Sequence, residues 1–201
     1  MRKKYIVLIL ILLFSLFCLT GCYDSRGIET LAYVVALGID KSDDDTIRLT
    51  FQFAVPTSSD SSSSSSQSSS STIIDVNCTT IDSGISLVNS YISKKVNLSH
   101  CKALVISETL AYEGVSDYLY TLVNNIEFRP DCYFIVSRCD AYYFLYNSTP
   151  TLESVPARYY ELITNSSEYT GFTESIYLSD FYQNIISTTS QPVAILGRSK
   201  Y

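Results

Sequence analysis

The sequence predicts an α/β fold, with a mixed sheet, βαβ crossovers and an N-terminal β-hairpin. Three observations predict it. Thr46 to Val55 alternates apolar and polar residues with a period of two. Ile73 to Thr79, Lys102 to Ser107 and Asp131 to Ser137 are short runs of strand length and strand composition. Between them, Ile81 to Ser93 and Glu108 to Asn124 carry apolar residues at helical spacing. Strand, helix, strand, helix, strand implies parallel pairing through right-handed crossovers.

The chain opens on Arg2, Lys3 and Lys4, followed by the almost wholly apolar Tyr5 to Phe17. These are the basic head and apolar body of a secretory signal. The run of about 15 residues is shorter than the roughly 20 a membrane-spanning helix needs. Leu19-Thr20-Gly21-Cys22 closes it and matches the bacterial lipobox. Thr20 and Gly21 are small enough to enter a peptidase active site, and Cys22 supplies a thiol for a thioether-linked diacylglyceryl group. Each buried acyl CH₂ contributes about 0.8 kcal/mol, and two chains anchor stably where one binds reversibly. Residues 1–21 are therefore expected to be a lipoprotein signal peptide, with Leu19, Thr20 and Gly21 as the lipobox and Cys22 as the lipidation site. The mature chain is expected on the outer face of the cytoplasmic membrane, held there by its lipid.

The whole chain carries a formal charge of −6. The leader holds three basic residues and no acid, so the remainder is nine units negative. An acidic chain with no basic cluster argues against nucleic acid and against electrostatic binding to anionic lipid. Hydrophobic residues make up 46% of the sequence, enough to bury a core, and 17 Tyr stand beside no Trp. After processing, Cys78, Cys101, Cys132 and Cys139 remain besides the lipidated Cys22. Four cysteines allow two disulfides in three connectivities, and small buried thiols are the competing reading. None of their spacings is a zinc pair.

Taken in order, Ile28 to Gly38 reads as a buried strand and Asp40 to Asp45 as a polar turn. Thr46 to Val55 is a second strand, with Ile47, Leu49, Phe51 and Phe53 on a core face and Arg48, Thr50 and Gln52 on the other. Pro56 stops it. Residues 57–72 are nearly all Ser and lack apolar side chains to offset their ordering entropy, so a disordered loop is expected. Thr80 lies at the cap of the first helix. The second helix has a break expected at Gly114, with Ser116 capping its continuation. Asp140 to Leu145, Ala157 to Asn165 and Asp180 to Ile186 read as further helices, the last capped by Ser179. Pro192 to Leu196 resembles an opening strand without partners.

Chemistry is sparse. His100 is the only His, and adjacent Cys101 points away from it on a strand, so a hydrogen-bonding loop His fits better than a metal ligand or a Cys-His pair. Asp43, Asp44 and Asp45 lack the Gly and the terminal Glu of a calcium loop. No phosphate-binding Gly-rich loop and no nucleophile elbow occurs. No catalytic constellation and no cofactor is expected. Tyr142, Tyr143, Phe144, Leu145 and Tyr146, with Tyr159 and Tyr160, form either a partner-binding face or ordinary helix packing.

The segment Leu19-Thr20-Gly21-Cys22-Tyr23-Asp24, followed by Glu29, Leu31-Ala32 and Gly38-Ile39-Asp40-Lys41, resembles the Ger(x)C family. These are the lipoprotein C subunits of spore germinant receptors. Ser99-His100-Cys101-Lys102, Glu108 to Gly114, Glu127-x-Arg129 and Thr149 to Pro156 fit the same pattern. Tyr23 stands where the family usually has Trp. The resemblance implies a non-enzymatic subunit beside two integral membrane subunits of A and B type, on the spore inner membrane. It also implies further α/β domains, so that residues 22–190 read as an N-terminal domain and residues 191–201 as the start of a truncated following one. Two readings from other classes compete: a solute-binding lipoprotein of a transporter, and a truncated remnant without function.

Overall fold

The computed structural model describes residues 2–17, 27–42, 45–55, 71–148, 152–153 and 155–199. The chain divides into two compact units, Met1–Thr30 and Leu31–Tyr201. In the first, α1 (Arg2–Phe17) carries apolar side chains on every side, and those from Tyr5 to Phe14 are exposed. A single 3₁₀ turn, Ile28–Thr30, closes the unit. Among the described residues no helix is long and apolar enough to cross a membrane. The Ser-rich stretch expected to be disordered lies almost wholly outside the described residues.

The second unit is built on β1 (Leu31–Lys41), β2 (Ile47–Ala54), β3 (Ser71–Cys78), β4 (Lys95–Asn97), β5 (Ala103–Ser107), β6 (Tyr133–Ser137) and β7 (Ile195–Gly197). They form one sheet in the order β3-β2-β1-β5-β6-β7, with β4 beside β1. β1, β2 and β3 run antiparallel, while β5, β6 and β7 continue from β1 in parallel. The α/β class, the N-terminal hairpin and the crossovers are thus all present. β1 is the hinge between the two halves of the sheet, and its residues from Val34 to Asp40 are buried.

Helices cover both faces. They are α2 (Ile81–Tyr91), α3 (Glu108–Glu113), α4 (Ser116–Val123), α5 (Ala141–Asn147), α6 (Pro156–Thr164), α7 (Ser167–Thr170) and α8 (Leu178–Ile186). One face packs Leu37, Leu49, Phe51, Leu104, Ile106 and Phe134 against α2, α3, α4 and α8 through Ile81, Val88, Leu110, Leu119, Leu122, Leu178 and Phe181. Phe134 and Phe181 stack with ring centres 4.1 Å apart. The other face packs the smaller Ala36, Ala103, Val105 and Ile135 against Ala141 and Leu145 of α5 and Tyr160 of α6.

Several expectations are corrected. The second face of β2 is covered, because Thr50 and Gln52 lie beneath α5 and α6, and Gln52 Oε1 accepts a hydrogen bond from Tyr160 Oη at 2.7 Å. β4 and β5 are one strand line interrupted: both run parallel to β1, but Leu98 to Lys102 loops out between them. A bulge in β1 answers this loop, and the Val35 carbonyl there accepts the Lys102 amide. The break at Gly114 is present, with φ of 119°. Ser116, however, is the first helical residue of α4, behind Val115 at the cap, and makes no capping bond. Ser179 likewise lies inside α8, behind Tyr177. The segment near Pro192 that seemed to lack a partner gives β7, which pairs with β6 in this sheet.

Thr80 does cap α2, in a reciprocal box with Ser83. Gly84 then lets α2 lie on the sheet, since a Cβ there would come within 2.5 Å of Leu49 Cδ1 and 2.7 Å of Cys78 Sγ. Alanine at a helix interior is favoured over glycine by about 1 kcal/mol. Overpacking a closed core costs about 1–3 kcal/mol. Both neighbours are buried, so the second effect wins, and Gly84→Ala is expected to destabilise the fold by about 1 kcal/mol in urea denaturation. A stabilised variant would show that α2 has room to lift.

Candidate functional site

In open α/β sheets, ligands and chemistry gather beyond the carboxyl ends of the strands. Here that edge begins with Gly38-Ile39-Asp40-Lys41 at the end of β1. Alternation turns Ile39 into the larger core and Gly38 and Asp40 toward α5. A Cβ on Gly38 would come within 3.0 Å of Leu145 and 3.2 Å of Ala141 and Thr50, so α5 sits close on the strand. Asp40 is 1% exposed. Its carboxylate accepts the backbone N–H groups of Ala141 at 2.6 Å and Tyr142 at 2.9 Å. These are first-turn amides with no partner inside their own helix.

Arg48 on β2 completes the cluster. Its Nη2 donates to Asp140 at 2.7 Å and to Asp40 at 3.3 Å, and its guanidinium lies 5.1 Å from the centre of the Tyr142 ring. Burial pushes the Asp40 carboxyl above the ordinary aspartate range, against the pull of the two amides and Arg48. The fold therefore holds this proton more tightly than the unfolded chain does. The stabilisation this group adds is full below the ordinary aspartate value and is lost as pH rises through the raised one. Arg48 Nε and Thr50 Oγ1 are buried beside it without a hydrogen-bond partner among the described residues.

The neighbouring strand ends are polar too. Thr109 donates to Ser107 Oγ at 3.1 Å, and Ser137 Oγ lies 3.3 Å from Cys139 Sγ. These groups are bonded to one another, and none is a nucleophile held against a base. No group of three or more His, Cys, Asp and Glu side chains that could hold a metal ion occurs among the described residues. The cluster is an architectural node that fixes α5 to β1 and β2.

The lipobox Leu19, Thr20 and Gly21 and the lipidation site Cys22 lie outside the described residues. His100 is exposed in a turn and meets the Tyr33 ring edge-on at 4.8 Å, while Cys101 is buried and donates to the Ala103 carbonyl at 3.4 Å. Asp45 has φ of 57° in the expected polar turn, and Asp43 and Asp44 fall outside the described residues. The tyrosine-rich segments divide between the two expected roles. Tyr160 is buried and Tyr142 half-buried under Arg48, whereas Tyr143 and Tyr146 face solvent. Asp40 was read as part of a turn. The signal that could have marked it is an acid directly ending an apolar strand, a costly place unless helix amides wait there.

Ion pairs join segments far apart in sequence. Lys41 pairs with Glu113, Lys95 with Glu127 at 2.6 Å, and Lys102 with Glu161 at 2.6 Å. Cys78, Cys101, Cys132 and Cys139 are all free thiols. Burial pushes the Cys101 thiol up to about 12 and the Cys132 thiol well above its ordinary value.

Two predictions follow from this geometry. Asp40→Ala strips two amides of their acceptor and leaves Arg48 with Asp140 alone; a loss of about 2–4 kcal/mol is expected in urea denaturation. A loss below about 0.5 kcal/mol, the level of an ordinary surface substitution, would remove Asp40 from the framework. In the native protein at neutral pH, iodoacetamide is expected to label Cys139 ahead of Cys78, Cys101 and Cys132, read by peptide mass mapping. Early labelling of Cys101 would contradict its burial.

The family profile described as the spore germination protein N-terminal domain matches residues 24–198. Among curated relatives from Bacillus subtilis (strain 168), the chain is 28% identical over 204 residues to the "Putative spore germination protein YfkR", covering 98% of this chain and 51% of that one. It is 26% identical to spore germination protein B3, covering 95% and 52%. It is 23% identical to spore germination protein KC, covering 96% and 48%. The chain thus spans about half the length of these relatives. No solved structure matches it.

Proposed function

Because the chain belongs to the spore germination protein N-terminal domain family, we propose that it is a lipid-anchored, non-enzymatic subunit of a spore germinant receptor. Cys22 carries the diacylglyceryl group, residues 1–21 are removed, and the domain works on the outer face of the membrane. Its partners are integral membrane subunits of A and B type. Its contribution is association: it presents a folded surface at the membrane.

The observation that carries this reading is the junction between lipobox and domain. The family match begins at Asp24, two residues past Cys22. A leader removed at Gly21 therefore leaves the matched segment whole, with the lipid-bearing residue two positions before it in sequence. The partner surface is supported by the outer side of the α5, α6 and α7 layer. Tyr143, Leu162, Ile163, Tyr169 and Phe172 are exposed there, with Phe172 at 93%. Contiguous exposed apolar side chains of this size are what an interaction site presents.

Cys22→Ala tests the anchor. The variant is expected to remain an uncleaved precursor without labelled palmitate, and spores that carry it are expected to respond poorly to nutrients. Normal palmitate incorporation in that variant would place the lipid elsewhere. Normal nutrient-triggered germination would separate the anchor from the receptor role.

A further inference from the structure

A cleft of about 540 Å³ runs between the ends of α5 and α6 and the open side of β7. Five consecutive residues, Ile195 to Ser199, line one side of it. Ile135 and Phe144 form its floor, and Tyr159, Ile163 and Thr164 its helical wall. Gly197 permits the close approach, since a Cβ there would come within 2.8 Å of the Phe144 ring and 3.0 Å of Ile135. None of these residues belongs to the Asp40 cluster.

The strand side of the cleft is polar for a topological reason. The Gly197 carbonyl accepts the Arg138 amide, so the backbone groups of Gly197 face β6. In a parallel ladder neighbouring residues turn their N–H and C=O groups in opposite directions. Those of Leu196 therefore face away from β6, and Leu196 lines the cleft. Asn147 borders the opposite rim. Arg198 is the one charged residue among those that line the cleft, and no ion pair engages it among the described residues.

The volume lies within the roughly 300–1,000 Å³ of small-molecule sites, which join an apolar lining to a few placed polar groups. We infer that this cleft binds a small amphipathic carboxylate. Its apolar body lies on Phe144, Tyr159 and Ile163. Its carboxylate takes the Leu196 amide and the charge of Arg198, with Asn147 as a further donor. The charge is complementary: the one charged residue lining the cleft is a cation, and a charge-assisted bond to a carboxylate is about twice as strong as a neutral one. The site needs neither Cys22 nor a membrane partner, so it stands or falls separately from the anchored-subunit reading.

The test uses the full chain in lipid nanodiscs, with phenylacetate as the probe, phenylacetamide as its neutral counterpart, and ligand-observed NMR as the readout. Saturable binding of phenylacetate is expected, at least about fivefold tighter than the amide. Arg198→Gln should weaken the acid by a similar factor and leave the amide unchanged. Ile163→Glu places an anion in the wall and should abolish acid binding; both positions are solvent-exposed, so neither change touches the core. No saturable binding, equal binding of acid and amide, or unchanged acid binding by both variants would each overturn the assignment.

Discussion

The structure depends on one buried carboxylate. β1 carries the antiparallel hairpin on one side and the parallel strands on the other, so whatever fixes its C-terminal end fixes both halves of the sheet. Asp40 does this by accepting two amides from α5 and the guanidinium of Arg48 from β2. A carboxylate taken out of water would cost several kcal/mol if left unpaired. Two helix amides and an Arg offset most of that cost, and the partial shortfall shows in its raised pKa. The gain is positional. A helix of seven residues is far too short to be stable alone, and its start is set by the strand it caps onto.

The residues that carry the family resemblance are tied to one another in the same way. Gly38 lets α5 approach, Asp40 caps it, and Lys41 reaches Glu113 of another matching segment. Lys95 pairs with Glu127 at the start of the Glu-x-Arg segment, and Lys102 with Glu161. Exposed ion pairs of this kind add little to stability, about 0–1 kcal/mol each. Their value lies in register: they join the β1 end, the α3 end, the β4 start and α6, which the backbone leaves far apart. The pattern at Ser99-His100-Cys101-Lys102 has a backbone explanation as well. It is the loop between β4 and β5, and its Lys102 amide meets the bulge at Val35.

Sequence pattern revealed the strands and helices wherever apolar residues keep one period. It revealed the Thr80 cap and the break at Gly114 because local chemistry decides both. It failed where the deciding group lies far along the chain. Thr50 and Gln52 alternate like solvent-facing residues, yet Tyr160, over a hundred residues later, covers Gln52. Asp40 reads as a turn residue because its partners are the amides of α5. Ser116 and Ser179 look like caps, but the chain enters α4 and α8 one and two residues earlier. β7 is three residues long, and its partner strand precedes it by four helices. Of the candidate sites, the proposed lipobox is a linear pattern, and it lies outside the described residues. The cleft beside β7 exists only once the sheet is assembled.

The two faces of the sheet are held by different physics, and this bears on where function can sit. The α2, α3, α4 and α8 face is closed by large side chains such as Phe51, Phe134, Leu104 and Leu122. The α5 and α6 face rests on Ala36, Gly38 and Ala103, which offer little apolar area. To the smaller apolar contact there, with Val105, Ile135, Leu145 and Tyr160, it adds hydrogen bonds: Asp40 to the start of α5, and Tyr160 to Gln52. A buried hydrogen bond contributes about 1 kcal/mol net, whereas a buried large apolar side chain contributes about 1.5–3 kcal/mol. The second layer is therefore the more weakly held of the two. That layer also carries the exposed Tyr143, Ile163, Tyr169 and Phe172, and it walls the cleft at β7. Elements that bind and respond are drawn from the less stable parts of a fold. A large apolar layer on one side of the sheet, and a smaller layer tied down by added hydrogen bonds on the other, place any adjustment of the surface on the α5 and α6 side, away from the larger core.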